Sequence, residues 1–152
     1  MPMYLTVALI VAAVIIATFT IGIYNMITTS QAHAIEYELS KIVAEAEHMY
    51  QYADEGSMVT VDVTFPATLK YAVFGSTPLP GGQEPTNRQL NPATANNYYY
   101  VLSDGTVSPF HSPVCFSSED PTKFAVIYAG NYRMCLELKK IGAMSYVSIY
   151  PQ

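Results

Sequence analysis

No side chain among residues 1–35 carries a formal charge: the first acid is Glu36 and the first base is Lys41. Within that stretch, residues 3–27 (MYLTVALIVAAVIIATFTIGIYNMI) contain no proline and a single glycine, Gly22. Such a run exceeds the roughly 20 apolar residues that cross the hydrocarbon of a bilayer as a helix. A helix also satisfies every backbone group internally where there is no water. The run is too long for the apolar region of a cleavable secretory signal, about 7–15 residues, and no basic residue precedes it. Signal anchors are normally oriented by flanking Lys or Arg, so the missing flank predicts that Met1 is a mature terminus left after removal of a basic leader. Pro2 then falls in the first helical turn, where a missing N–H costs nothing.

The chain beyond residue 30 does not end the helix as a membrane span would end. Ile35, Leu39, Ile42, Val43, Ala46, Met49, Tyr50 and Ala53 recur at helical spacing and form one apolar stripe. Glu36, Glu38, Lys41, Glu45, Glu47 and Gln51 fill most of the remaining circumference, and the four glutamates read as a solvated helix face. Gly56, just past Asp54 and Glu55, is a stop signal. One helix over residues 3–54 is therefore expected, roughly 75–80 Å long at about 1.5 Å per residue, of which a bilayer uses less than half. The chain divides into an N-terminal helix (1–55: apolar in 1–35, amphipathic in 36–55) and a head domain (56–152).

Beyond Gly56 the period changes to two. Val59, Val61, Val63 and Phe65 alternate with Thr60, Asp62 and Thr64, giving a half-buried strand ended by Pro66. A second strand is expected over 69–74. A segment rich in Pro and Gly without periodicity then runs to residue 97, of the kind that makes surface contacts or stays disordered. Further strands are expected at 98–102, 106–108, 114–116, 124–128, 132–138 and 144–150, with turns at Asp104-Gly105 and Gly130-Asn131. Many short strands punctuated by Gly and Pro indicate an antiparallel, sandwich-like sheet domain, so the fold class is α+β.

The chain carries 12 acidic and 7 basic side chains, a net charge of -5. Phosphate binding relies on clustered Lys and Arg, and the only adjacent bases are Lys139 and Lys140, so nucleic acid is excluded as a partner. No catalytic, cofactor or metal motif is present. His111 and Cys115 are separated by Pro113, which opposes a helical ligand pair, and His33 and His48 have no carboxylate or thiol constellation around them. Cys115 and Cys135 have neither CxxC nor zinc-ligand spacing. They form either two buried thiols or, if the head is extracellular, a disulfide closing about 20 residues and contributing roughly 3 kcal/mol. Tyrosine is enriched, with 13 residues and three in succession at Tyr98, Tyr99 and Tyr100. Strand alternation sends Tyr99 one way and Tyr98 and Tyr100 the other. At least one of these rings is thus expected to face outward, as a contact for other subunits or surfaces; packing within the core is the other reading.

An apolar N-terminal helix that turns amphipathic and runs directly into a β head resembles the type IV pilin superfamily. The resemblance is nearest to archaeal pilins and the related archaellins. It rests on MPMYLTVALIVAAVIIATFTIGIYNMI, on the amphipathic continuation, and on the strand-Pro-strand sequence VTVDVTFPATLKYAVFG. Bacterial type IV pilins usually begin with Phe and carry Glu fifth; this chain has Met1 and Leu5, and archaeal members often lack that Glu. The resemblance implies a non-enzymatic structural subunit of an extracellular archaeal type IV adhesion pilus. It implies a homopolymer built through N-terminal helices, insertion in the cytoplasmic membrane before assembly, and a prepilin peptidase and pilus assembly machinery as partners. Leu5, Leu9, Ala13, Ile16, Gly22 and Ile23 are then expected in the helical core of the filament. The alternatives are an archaellin of a motility filament and a single-pass anchor presenting an extracellular β binding domain.

Overall fold

The computed structural model describes residues 2–152, so the expected mature terminus, Met1, lies outside the described residues. The element order is α1 (Pro2–Tyr52), β1 (Met58–Phe65), β2 (Leu69–Phe74), β3 (Asn97–Leu102), β4 (Val107–His111), β5 (Phe116–Ser117), β6 (Ala125–Ile127), β7 (Gly130–Ile141) and β8 (Met144–Pro151), with a short 3-10 turn at Pro80–Gly82 between β2 and β3. This is the expected α+β class: one long helix followed by two small, largely antiparallel sheets. By contacts the chain forms two units, Met1–Ala34 and Ile35–Gln152, and each is described by itself.

The second unit holds the core. Its strands form two four-stranded sheets, ordered β1-β7-β8-β5 and β4-β3-β2-β6. All pairings are antiparallel except that of β5 with β8, a parallel pair that the expectation of an antiparallel domain did not include. The apolar stripe of α1 is buried as its spacing requires, with Ile35, Leu39, Ile42, Val43, Ala46 and Met49 in one cluster with Val63, Phe65, Phe74, Tyr100, Met134, Leu136 and Val147 from both sheets. Tyr50, placed on the same stripe by spacing, is exposed.

The glutamates beside that stripe depart from the expected solvated face. Glu36, Glu38, Glu45 and Glu47 are all half-buried, and three of them hold the strands. Tyr100 Oη donates to Glu36 at 3.0 Å, the Thr64 N–H donates to Glu38 Oε2 at 3.0 Å, and Ser112 Oγ donates to Glu47 at 3.1 Å. Lys41 Nζ lies 2.6 Å from Glu38 and donates to the Asp62 carbonyl at 3.0 Å. Helical periodicity identifies which residues share a face, but a carboxylate at the margin of the buried stripe finds its partners only after the strands pack.

The last two strands pair from Met134↔Pro151 to Ile141↔Met144, over as many positions as β1 with β7. Their loop is two residues, Gly142-Ala143, with Gly142 at φ +63, and glycine first in a two-residue hairpin loop suits the right-handed twist of the strands. Gly130, expected in a turn, instead opens β7 opposite Phe65.

A second apolar cluster is made by Tyr71, Val73, Tyr99 and Val101, which alternate along β2 and β3 with members of the main core, together with Phe124 just before β6. The segment between β2 and β3 helps to cover it: Leu90 packs against the cluster, and Tyr71 Oη donates to the Gly82 carbonyl at 3.1 Å. Gln89 bridges to Lys123. The aperiodic stretch is thus a packed layer whose side chains follow no fixed period.

Two substitutions test this packing. Gly75 has φ +101, and a Cβ there would lie 2.7 Å from the Phe116 carbonyl oxygen, so Gly75→Ala is expected to destabilise the head by about 2 kcal/mol. Ile42, fully buried on the helical stripe, is expected to cost about 3 kcal/mol as Ile42→Ala. Urea unfolding of the full chain in detergent, followed by near-ultraviolet circular dichroism of the tyrosines, reads both; unchanged midpoints would contradict the packing described.

Candidate assembly surface

The first unit is the apolar part of α1. Every large apolar side chain from Met3 to Ile27 is exposed, including Leu5 at 68%, Leu9 at 64%, Ile16 at 66% and Ile23 at 57%. Ala13 and Gly22, the smaller members of the expected assembly set, are exposed as well. The six residues are therefore available to a surrounding medium; Leu5, Leu9, Ala13, Ile16 and Ile23 fall within an arc of about 80° of the helix, and Gly22 lies outside it. At about 100° per residue, Ala13 lies roughly 180° from Gly22 around the axis. An apolar surface on all sides distinguishes a helix meant for an apolar environment from an amphipathic surface helix.

The hydroxyls of this unit are arranged for the same environment. Thr18 donates to the carbonyls of Val14 and Ile15, Thr20 to Ile16, Thr28 to Tyr24 and Asn25, and Thr29 to Asn25, all within 2.7–3.1 Å. A hydroxyl whose hydrogen is already donated to its own helix avoids most of the penalty of leaving water. By length and composition, α1 contains a stretch apolar enough to cross a membrane.

The tyrosines expected to face outward on the head are turned largely inward. Tyr99 and Tyr100 are each 1% exposed, and Tyr98 is half-buried. The alternation is as expected, with Tyr100 in the main core and Tyr99 in the second cluster, but both faces of β3 are covered. Tyr98 stacks between Phe74 and Phe110, with ring centroids at 5.6 and 5.2 Å. Burial, with a smaller contribution from Tyr71, pushes the Tyr99 phenol up to about 12. These three rings are core, because the segment between β2 and β3 folds over the face that alternation alone would leave open.

Cys115 and Cys135 are free thiols, which corrects the expected disulfide. The reason is topological. Cys135 lies in β7 opposite Tyr150, whereas Cys115 directly precedes β5 and its carbonyl accepts from the Val147 N–H at 2.8 Å. Strand β8 runs between β7 and β5, so the two cysteines stand two strand spacings apart, about 9.5 Å, before any offset along the strands. Disulfides need Cα atoms within about 7 Å. Burial raises the Cys115 thiol above its ordinary range.

A concavity of about 390 Å³ with charged groups at its rim lies between β6 and β8, with Met134, Ile127 and Ile149 among its lining and Arg88, Lys123, Glu119 and Asp120 around it. Its cations are already engaged: Lys123 with Asp120 at 3.0 Å, and Arg88 with Glu84 at 4.0 Å and with Tyr128 Oη at 3.1 Å. Tyr128 also donates to Glu84. Among the described residues, no three of His, Cys, Asp or Glu gather into a group that could hold a metal ion. The chain matches no protein-family model, no curated protein and no solved structure.

The thiol assignment is open to direct measurement. Alkylation of the unfolded chain without reductant is expected to add two labels, and in the native protein half-buried Cys115 is expected to label before Cys135, which is 2% exposed. An intact mass two hydrogens short, with no labels, would restore the disulfide.

Proposed function

We propose that this chain is a structural subunit of an extracellular filament, an archaeal type IV adhesion pilus, polymerised through residues 3–27. The observation that carries the reading is the apolar surface from Met3 to Ile27, exposed on all sides and far beyond the patch of a few hundred Å² that a soluble monomer leaves uncovered. A surface of that kind requires a permanent apolar partner. Lipid serves before assembly, when the subunit waits in the cytoplasmic membrane. Copies of the same helix serve afterwards, adding close packing to the same burial.

Repetition of one heterologous contact between identical copies gives an open helical polymer. The heads, each with its own buried core, would form the outer layer. The resemblance to archaeal pilins, in the helix and in the strand-Pro-strand sequence after it, supports this polymer over other assemblies. The chemistry asked of the protein is packing alone, with a prepilin peptidase and the assembly machinery supplying the processing and the work of extraction.

Shearing cells and imaging the medium tests the reading: filaments containing this chain are expected, and recovery of the protein wholly in the membrane fraction would instead mark a single-pass anchor. A deletion strain is expected to lose surface attachment; loss of swimming with attachment retained would assign the filament to motility. Ala13→Arg is expected to abolish filaments, since neither a dry helix bundle nor lipid offers the new charge a partner. Normal filaments from that variant would remove residues 3–27 from the core.

A further inference from the structure

Residues 76–87, between β2 and the bridge at Gln89, are hydrogen-bonded to the rest of the head through side chains alone. Among the described residues no backbone–backbone bond joins them to a strand; the bond from the Gly82 N–H to the Leu79 carbonyl, at 3.2 Å, closes within the segment. Both ends converge on Phe124. At one end a Cβ built on Gly75 would lie 3.2 Å from the Phe124 Cβ, and at the other the Phe124 N–H donates to the Arg88 carbonyl at 3.0 Å. Just outside the segment the chain is fixed by backbone bonds, from the Gly75 N–H to the Asn97 carbonyl and from the Leu90 N–H to the Thr122 carbonyl, each at 2.8 Å. A surface segment of this length whose ends nearly meet is an Ω-loop.

The loop lies over the second apolar cluster. Gly82 is buried, and a Cβ built on it would lie 3.1 Å from Val107 and 3.3 Å from Val101; Pro85 is buried as well. Two hydroxyls hold the loop down: Tyr71 Oη donates to the Gly82 carbonyl at 3.1 Å, and Tyr128 Oη donates to Glu84. Beneath the loop one group is left unpaired. Tyr99 Oη is buried and has no hydrogen-bond partner within the described residues, although its ring packs edge-on to that of Tyr71 with centroids 6.3 Å apart. A phenol held dry without a partner forgoes the hydrogen bond that water would give it. The closed loop maintains that loss, and lifting the loop ends it.

We propose that residues 76–87 are a hinged cover, which lifts from the Tyr71, Tyr99 and Val101 face of β2 and β3 while both sheets and the helical stripe stay packed. The hinges are Gly75, with φ +101, and Arg88, the points where the loop meets Phe124. Opening releases the Gly82 carbonyl and gives the hydroxyls of Tyr71 and Tyr99 to water. The main core is untouched, because Ala72, Phe74, Tyr100 and Leu102 belong to the other face of the same two strands. Local opening ahead of global unfolding is favoured where few backbone bonds tie a segment to the body. An aromatic face that the closed head seals thus becomes reachable from solvent without loss of the fold. The device belongs to the head and rests on nothing about membrane or filament.

Thiol labelling of the full chain in detergent, in a Cys115→Ser, Cys135→Ala background, tests the cover. Val101→Cys puts a reporter beneath the loop and Val147→Cys puts one in the main core; both positions are 0% exposed. The Val101 reporter is expected to react at least about tenfold faster, at a rate that low urea barely changes, whereas the Val147 reporter follows global unfolding and accelerates steeply with urea. Tyr71→Phe, which leaves the Gly82 carbonyl without its donor, should speed the Val101 reporter about fivefold, and Tyr99→Phe, which removes the unpaired hydroxyl, should slow it about threefold. Nitration with tetranitromethane reads the same opening in the unaltered chain: Tyr99 and Tyr100 are each 1% exposed, and Tyr99 is expected to react well before Tyr100. Equal rates and urea slopes for the two reporters, equal nitration of the two tyrosines, or a Tyr99→Phe variant that labels no more slowly would each overturn the proposal.

Discussion

The main core of the head is closed by the helix. Ile35, Leu39, Ile42, Val43, Ala46 and Met49 lie in one cluster with side chains of both sheets, and those six positions are where the two layers meet a common partner. Removing the amphipathic segment would expose apolar residues on each sheet at once, at about 25 cal/mol for every Å² returned to water. The polar bonds from Glu36, Glu38 and Glu47 add direction to that burial. They fix which turn of the helix faces which strand, because each carboxylate must find a particular hydroxyl or N–H.

This dependence explains what could be read from the sequence. The stripe from Ile35 to Met49 was legible because burial against two sheets demands the helical period, and β1 was legible because one of its faces is more buried than the other. The strand order was not legible, and the errors stem from it. Whether Cys115 can reach Cys135 depends on β8 running between them, which no spacing reveals. Whether Tyr99 faces water depends on a segment rich in Pro and Gly whose packing has no period. The marginal glutamates looked solvated because their partners, Thr64, Tyr100 and Ser112, are distant in the chain.

The apolar unit shows a different economy. Its threonines bring polar atoms into an apolar stretch and return their hydrogens to the preceding turn, so they weaken neither lipid insertion nor helix packing.

The bonds from Glu38 and Lys41 to β1 have a further consequence. Strand β1 lies at the border of its sheet, where unpaired backbone groups can recruit a strand from another molecule. The Thr64 N–H and the Asp62 carbonyl are taken by the helix instead. At these two positions the edge of β1 offers no free group to a strand of another molecule. The helix that closes the main core thus also blunts this edge as a template for aggregation.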